Sequence, residues 1–237
     1  MIAFPTEAKL RIAEIFASVQ GEGLFTGVPS TFVRVSGCNL RCIWCDTPYA
    51  SWNPTGPTLT LDEILARIRA ELPRHVVLTG GEPMLFDPIE PLCAILRSEG
   101  YTITIETAGT IARDLACDLM SISPKLAHSA PPESSGWRER HEARRLNLRT
   151  LTSLIAGYDH QIKFVCEPDD PDWPAEIEAL LGRLPPVRPD RVLIMAQGID
   201  APTVRRKMLD LMPGCLARGW RLSPRLHIEL FGNTPGT

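Results

Sequence analysis

The sequence predicts an α/β fold, a parallel sheet or barrel with helices packed outside it, and three observations carry that expectation. Short runs rich in β-branched residues alternate with runs at helical spacing along a chain of 237 residues. Glycines and prolines punctuate the boundaries between them. The polar motifs TGGEP (79–83), ETAGT (106–110), SPK (123–125) and AQGID (196–200) each follow a strand-like run. In folds of this kind functional residues gather where strands give way to loops at their C-terminal ends, so these motifs are expected to share one site.

Taken in order, residues 12–19 (IAEIFASV) and 30–37 (STFVRVSG) read as strands bounded by glycines. From Leu61 the spacing becomes helical, with Leu61, Ile64, Leu65, Ile68 and Leu72 on one face. Thr60 and Glu63 fit a capping box at that helix's start, and Pro73 is expected to stop it. HVVLTGG (75–81) is a buried strand, Pro88 to Ser98 a helix with Gly100 beyond its end, and YTITIET (101–107) and CDLMSISPK (117–125) are strands. Then come a helix at 147–156, a strand at 161–166, a helix at 174–184, a strand at 191–197 and a helix at 203–218. The final piece, WRLSPRLHIELF (220–231), reads as extended. Residues 127–157 form the least regular region; a mobile surface segment is the favoured reading and a lid the alternative. No internal repeat or linker appears, and LPPVRP (184–189) reads as a helix-to-strand connection, so residues 1–237 are expected to form one domain.

With 44 % hydrophobic and 22 % charged residues the composition is that of an ordinary soluble protein. A chain of this length needs no metal merely to fold, so a metal site is expected to serve chemistry. The net charge of −3 lacks the basic excess of a general nucleic-acid binder. Arg138 to Arg149 is basic but also carries Glu139 and Glu142, which suits a solvated helix face. The opening MIAFPTEAKLRIAEIF lacks the pattern of a signal peptide. No apolar run approaches the ~18 residues of a membrane span. Seven cysteines, three of them within eight positions, suggest a reducing compartment and a metal, with the cytoplasm as the natural location.

Those three lie in GCNLRCIWCD (37–46). Spacings of three and two residues let the thiolates of Cys38, Cys42 and Cys45 converge, and thiolates suit iron–sulfur clusters and zinc. A structural zinc site normally closes with four ligands. Here the next candidates, Cys93 and His75, are far along the chain. A cubane on three cysteines keeps one iron open for a substrate or cofactor. Incidental cysteines are the plainer alternative, and the spacing argues against it. Cys93, Cys117, Cys166 and Cys215 read as small buried hydrophobes.

This cysteine motif, with Trp44 before its last member, resembles the signature of the radical S-adenosylmethionine (SAM) superfamily, and TGGEP resembles its GGE motif. The resemblance implies a partial (β/α) barrel, one [4Fe–4S] cluster and SAM chelating the open iron. The order of SVQGEG (18–23), Arg34, the cysteine loop with Asp46 and Thr47, TGGEP, ETAGT, SPK and Gln197 further resembles the 7-carboxy-7-deazaguanine synthase family. That likeness implies ring contraction of 6-carboxy-5,6,7,8-tetrahydropterin with loss of ammonia, assisted by Mg2+, in a homodimer served by an electron donor such as flavodoxin. It implies substrate contacts at Val19, Gln20, Gly21, Glu22, Arg34 and Thr79, and Mg2+ at Thr47. It further implies SAM contacts at Trp44, Cys45, Asp46, Gly81, Glu82, Ser123, Pro124, Lys125 and Gln197.

The chemistry of these side chains agrees in part. Arg34 offers a planar two-donor fork for a carboxylate, and a strand-surface salt bridge is the equal alternative. Gln20 and Glu22 suit the donor edge of an aminopyrimidinone, or a plain polar turn. Thr47 beside Asp46 offers the hard oxygens that Mg2+ prefers; such a hydroxyl is otherwise a common turn residue. Glu106 and Thr107 suit a ribose or a helix cap, and Lys125 a methionine carboxylate or bulk solvent. Two departures stand out: Ala108 replaces the amide usual in ETNG, and Gly198 stands where proline is frequent, so no SAM contact is assigned to 198–200. The alternatives are another radical SAM enzyme, such as a glycyl-radical activase, or a non-enzymatic iron–sulfur or zinc module.

Overall fold

A computed structural model describes residues 7–237; the first six residues of the opening stretch lie outside the described part. The strands are β1 (Lys9–Val19), β2 (Pro29–Val35), β3 (Thr58–Thr60), β4 (His75–Gly80), β5 (Thr102–Thr107), β6 (Leu119–Ile122), β7 (His160–Cys166), β8 (Val192–Ala196) and β9 (Arg221–Leu222). The helices are α1 (Leu61–Ala70), α2 (Ile89–Ser98), α3 (Arg138–Arg145), α4 (Leu148–Gly157), α5 (Trp173–Leu181), α6 (Ala201–Arg218) and α7 (Leu226–Phe231). Among the described residues one sheet holds nine strands in the order β3-β1-β2-β4-β5-β6-β7-β8-β9, open between its two edges.

From β2 to β9 every pairing is parallel, as the alternation of strand and helix requires. The expectation of uniformly parallel strands fails at one edge, where β1 runs antiparallel to β2 and β3. The loop from Gln20 to Val28 is too short for a parallel crossover, which needs a dozen or more residues. β3 has only three residues and no alternation long enough to read from sequence.

The sheet sorts its side chains by strand period. Val33, Val35, Val76, Leu78, Ile103, Ile105, Met120, Ile122, Ile162 and Phe164 enter the aliphatic core under the helices. The alternate positions form a polar row on the other face. Register sets Glu14 opposite Arg34, Arg34 opposite Thr79, and Glu106 opposite Ser121, with Lys163 following on β7.

α1 carries the expected capping box: Glu63 N–H donates to Thr60 Oγ1 at 3.2 Å, and Thr60 N–H donates to Glu63 Oε2 at 2.7 Å. The helix ends at Ala70, so Leu72 falls outside it and is 93 % exposed. The strand expected over 117–125 is confined to Leu119–Ile122, and the helix expected to reach Leu184 ends at Leu181 before Gly182. Residues 220–231 are extended only at Arg221–Leu222. Beyond Pro224, which lacks an N–H for the sheet, Leu226–Phe231 is helical. Residues 127–157 hold α3 and α4, with Ser129, His141, Leu151, Leu154 and Ile155 buried. Among the described residues no helix is long and apolar enough to cross a membrane.

Candidate active site

The C-terminal ends of the parallel strands open into one cavity of about 440 Å3. Cys38, Cys42, Trp44, Cys45, Asp46 and Thr47 line it from the loop after β2, and Val19, Gln20, Gly21 and Glu22 from the loop after β1. Arg34 on β2, Thr79 on β4, Gly81, Ser123 and Lys125 complete the expected residues that share it. Glu82, Pro124 and Gln197 do not line it. The Glu82 carboxylate is fully buried. It accepts from Thr107 Oγ1 at 2.8 Å, Ala108 N–H at 2.8 Å and Met84 N–H at 3.1 Å, which ties the TGGEP turn to ETAGT. Gln197 Oε1 accepts from buried Lys207 at 3.0 Å.

Close backbone approach explains the glycine pair. A Cβ on Gly80, at φ +131°, would lie 2.2 Å from the Val35 carbonyl oxygen, and one on Gly81 would lie 2.0 Å from that of Gly37. The turn after β4 thereby packs directly under the cysteine loop.

All three loop cysteines are free thiols. Burial pushes Cys38 up to about 12, reinforced by Glu82 and the two neighbouring thiols, and pushes Cys42 up to about 11 despite Lys125. Thiols gathered this closely suit a positively charged group, whose binding removes their protons. Among the described residues no three His, Cys, Asp or Glu side chains converge on a single ion. A cubane does not require that, because its three thiolates attach to different irons. The indole Nε1 of Trp44 is buried without a hydrogen-bond partner on the wall of the same cavity, and Lys125 Nζ lies 5.6 Å from that ring's centre. The donor set thus fits an iron–sulfur cluster with a polar ligand beside it.

The opposite wall is a network of charges. Lys163, 4 % exposed, donates from Nζ to Glu22 Oε2 at 2.7 Å and to Glu106 Oε1 at 3.3 Å. Glu106 Oε2 accepts from Thr79 Oγ1 at 2.8 Å. Arg225 bridges Glu22 Oε1 at 3.2 Å and Asp46 Oδ2 at 2.5 Å and also donates to the Gly198 carbonyl. Burial alone would raise Glu22, but Lys163, Arg225 and His227 outweigh it and hold this carboxyl well below the usual range. Arg34 Nε donates to Glu14 at 2.5 Å, and Tyr49 OH donates to the same carboxylate oxygen at 2.7 Å.

Sequence reasoning missed Glu14, Tyr49, Lys163, Arg225, His227 and residues 232–237, all of which line the cavity. A charge inside the apolar run QIKFVC was a usable signal for Lys163. Nothing in the pattern of 221–237 pointed to Arg225 or His227. The latter comes so close to Gly21 that a Cβ there would be 2.0 Å from its Nδ1.

A mostly parallel α/β sheet whose strand ends surround three free cysteines and an adjoining polar cavity is the arrangement expected of a radical SAM enzyme. In agreement, the model of the radical SAM superfamily matches residues 32–128. The chain is 43 % identical over 240 residues to a 7-carboxy-7-deazaguanine synthase of Halobacterium salinarum, covering 96 % of this chain and 93 % of that one. It is 43 % identical over 235 residues to one of Rhodopirellula baltica, covering 98 % and 90 %. The crystal structure of QueE from Escherichia coli matches with a TM-score of 0.66 at 27 % identity, covering 92 % and 95 %. The chain belongs to the 7-carboxy-7-deazaguanine synthase family. Its cofactors are a [4Fe–4S] cluster and SAM.

Proposed function

We propose that this chain contracts the ring of 6-carboxy-5,6,7,8-tetrahydropterin to 7-carboxy-7-deazaguanine with loss of ammonia, a step of 7-deazapurine and queuosine biosynthesis. The observation that carries this reading is one cavity joining three free cysteines to a charged wall suited to a small carboxylated heterocycle. Cys38, Cys42 and Cys45 would hold the cluster. Trp44, Cys45, Asp46, Gly81, Ser123 and Lys125 would surround SAM directly, with Glu82, Pro124 and Gln197 supporting that wall from behind. When bound, cluster and SAM together supply a radical able to abstract hydrogen.

The protein's own groups bind and orient. Arg34 uses Nε on Glu14 and keeps its terminal nitrogens for a substrate carboxylate. Glu22 and Glu106, held as acceptors by Lys163, suit the N–H edge of an aminopyrimidinone, with Gln20 and the loop from Val19 to Gly21 beside them. Thr79, hydrogen-bonded to Glu106, fixes that carboxylate's angle. Thr47 offers a hydroxyl and Asp46 a carboxylate to Mg2+, which keeps several waters and so needs few protein ligands. The protein works as a cytoplasmic homodimer that takes its electron from a carrier such as flavodoxin.

Anaerobically reconstituted, reduced protein incubated with SAM and the carboxylated tetrahydropterin is expected to yield the deazaguanine, with Cys42→Ala inactive. Undiminished product from Cys42→Ala overturns the reading, as does no product from a parent protein whose cluster is full and responds to SAM.

A further inference from the structure

We propose that His141 is a positioning residue for the cluster ligands: from α3 its imidazole fixes the chain through Arg41, Cys42 and Ile43, and thereby sets how firmly the cluster is kept. The proposal rests on the reading above that Cys38, Cys42 and Cys45 hold that cluster.

α3 has the sequence RERHEARR, and His141 is its one buried residue, at 0 % exposure. A helix so charged does not dock by apolar burial, so what this side chain does in the interior matters. Its Nδ1 lies 3.2 Å from the Arg41 backbone nitrogen, and its Nε2 lies 3.0 Å from Ser129 Oγ. Ser129 Oγ gives its own proton to the Leu126 carbonyl at 2.6 Å. It must therefore accept from Nε2–H, which leaves Nδ1 as the acceptor for Arg41 N–H. The imidazole is neutral with its tautomer fixed by both neighbours. Burial, which lowers the His141 pKa, acts in the same direction.

The second attachment is next door. Ile43 N–H donates to the Ser129 carbonyl at 2.9 Å. The Arg41 and Ile43 amides, on either side of Cys42, are thus both secured to one His141–Ser129 unit. Further contacts grip the loop elsewhere: Trp52 Nε1 donates to the Cys42 carbonyl at 3.0 Å, and Arg144 donates to that of Asn39 at 3.3 Å. Trp52 and Ser129 hold the two ends of one peptide unit, the Cys42 carbonyl and the Ile43 N–H, while His141 alone holds the 40–41 peptide N–H from which the chain enters Cys42. Groups that orient a metal ligand without touching the metal commonly change its retention. This gives the 127–157 region a task, that of a clasp on the cysteine loop.

Asparagine and glutamine separate the two ends of the imidazole. In His141→Asn the amide oxygen reaches the Nδ1 position and accepts from Arg41 N–H; in His141→Gln the amide reaches Ser129 and leaves that N–H unpaired. Parent, His141→Asn, His141→Gln and Cys42→Ala are reconstituted anaerobically. Iron and sulfide per chain are then measured, and loss of the cluster's visible absorption is followed under an iron chelator, with melting of each metal-free protein alongside. The expected result is loss from His141→Asn within about twofold of the parent and about tenfold faster loss from His141→Gln, with metal-free melting alike in the two variants. Equal loss from both overturns the proposal, as does loss that merely tracks metal-free melting. A parent that takes up no more iron than Cys42→Ala overturns the cluster reading itself, and the two failures are thereby told apart.

Discussion

With its ammonium buried between two carboxylates, Lys163 fixes the protonation of one wall of the cavity, and the shifts on both sides run the same way. Burial alone would lower the Lys163 pKa and raise that of Glu22, yet Glu106 and Glu22 raise the first while Lys163 and Arg225 lower the second. A depressed carboxyl stabilises the fold above its unfolded value of about 4.3, and that contribution is lost as pH falls through the folded value. A raised ammonium stabilises below about 10.4, and its contribution is lost only as pH rises through its folded value. Stability from this network is therefore expected to be level from about pH 5 to 9. Lys163→Met leaves Glu22 with Arg225 and Glu106 without its cation on the cavity wall, and is expected to cost about 3–5 kcal/mol at pH 8. It should cost less at pH 5, where a carboxylate pair left without its ammonium can share a proton. Urea unfolding at both pH values checks this, and an equal loss at each would show that charge pairing is not the cause. The same side chain shows what a sequence hides: a lysine in an apolar strand is visible, but its partner Glu22, 141 positions away, is not.

Elements were legible where period and punctuation agreed. α1 declared itself through its leucine and isoleucine spacing and its cap, and β4 through an unbroken apolar run ending in two glycines. The failures have a common physical origin in tertiary contacts. α7 was hidden because the strand before it ends short of Pro224 and Arg225 turns inward to Glu22 and Asp46, contacts that the pattern of LHIELF does not announce. The order of 127–157 comes from one buried histidine and the face of α4, not from α3's own periodicity. α4 begins at a good cap: Asn147 Oδ1 accepts from Thr150 N–H at 3.2 Å. Asn147→Ala is expected to cost about 1 kcal/mol and to lower the melting temperature by about 2–4 °C, with turnover at the cavity unchanged. Scanning calorimetry beside the turnover assay tests both halves.

At the scale of the whole molecule, the aliphatic core and the metal site are separate structures. The core takes in Cys93, Cys166 and Cys215 but none of Cys38, Cys42 and Cys45, and the cysteine loop is hydrogen-bonded to its neighbours through its backbone. Stripping the iron with a chelator is therefore expected to leave the far-ultraviolet circular dichroism unchanged and the cooperative melt intact. A broad, non-cooperative melt of the metal-free protein would contradict this. The gathering of motifs at strand ends was readable from their order along the chain, because parallel topology forces it. The contribution of the last 17 residues was not, because the sheet's open side belongs to no pattern of strands. The radical-generating floor is built from paired strands and close-packed glycines and resists change. Across from it stands a panel fastened by Arg225 and by the Leu226 amide on the Gly21 carbonyl, so that changes there are expected to alter which guest molecule fits before they disturb the engine below.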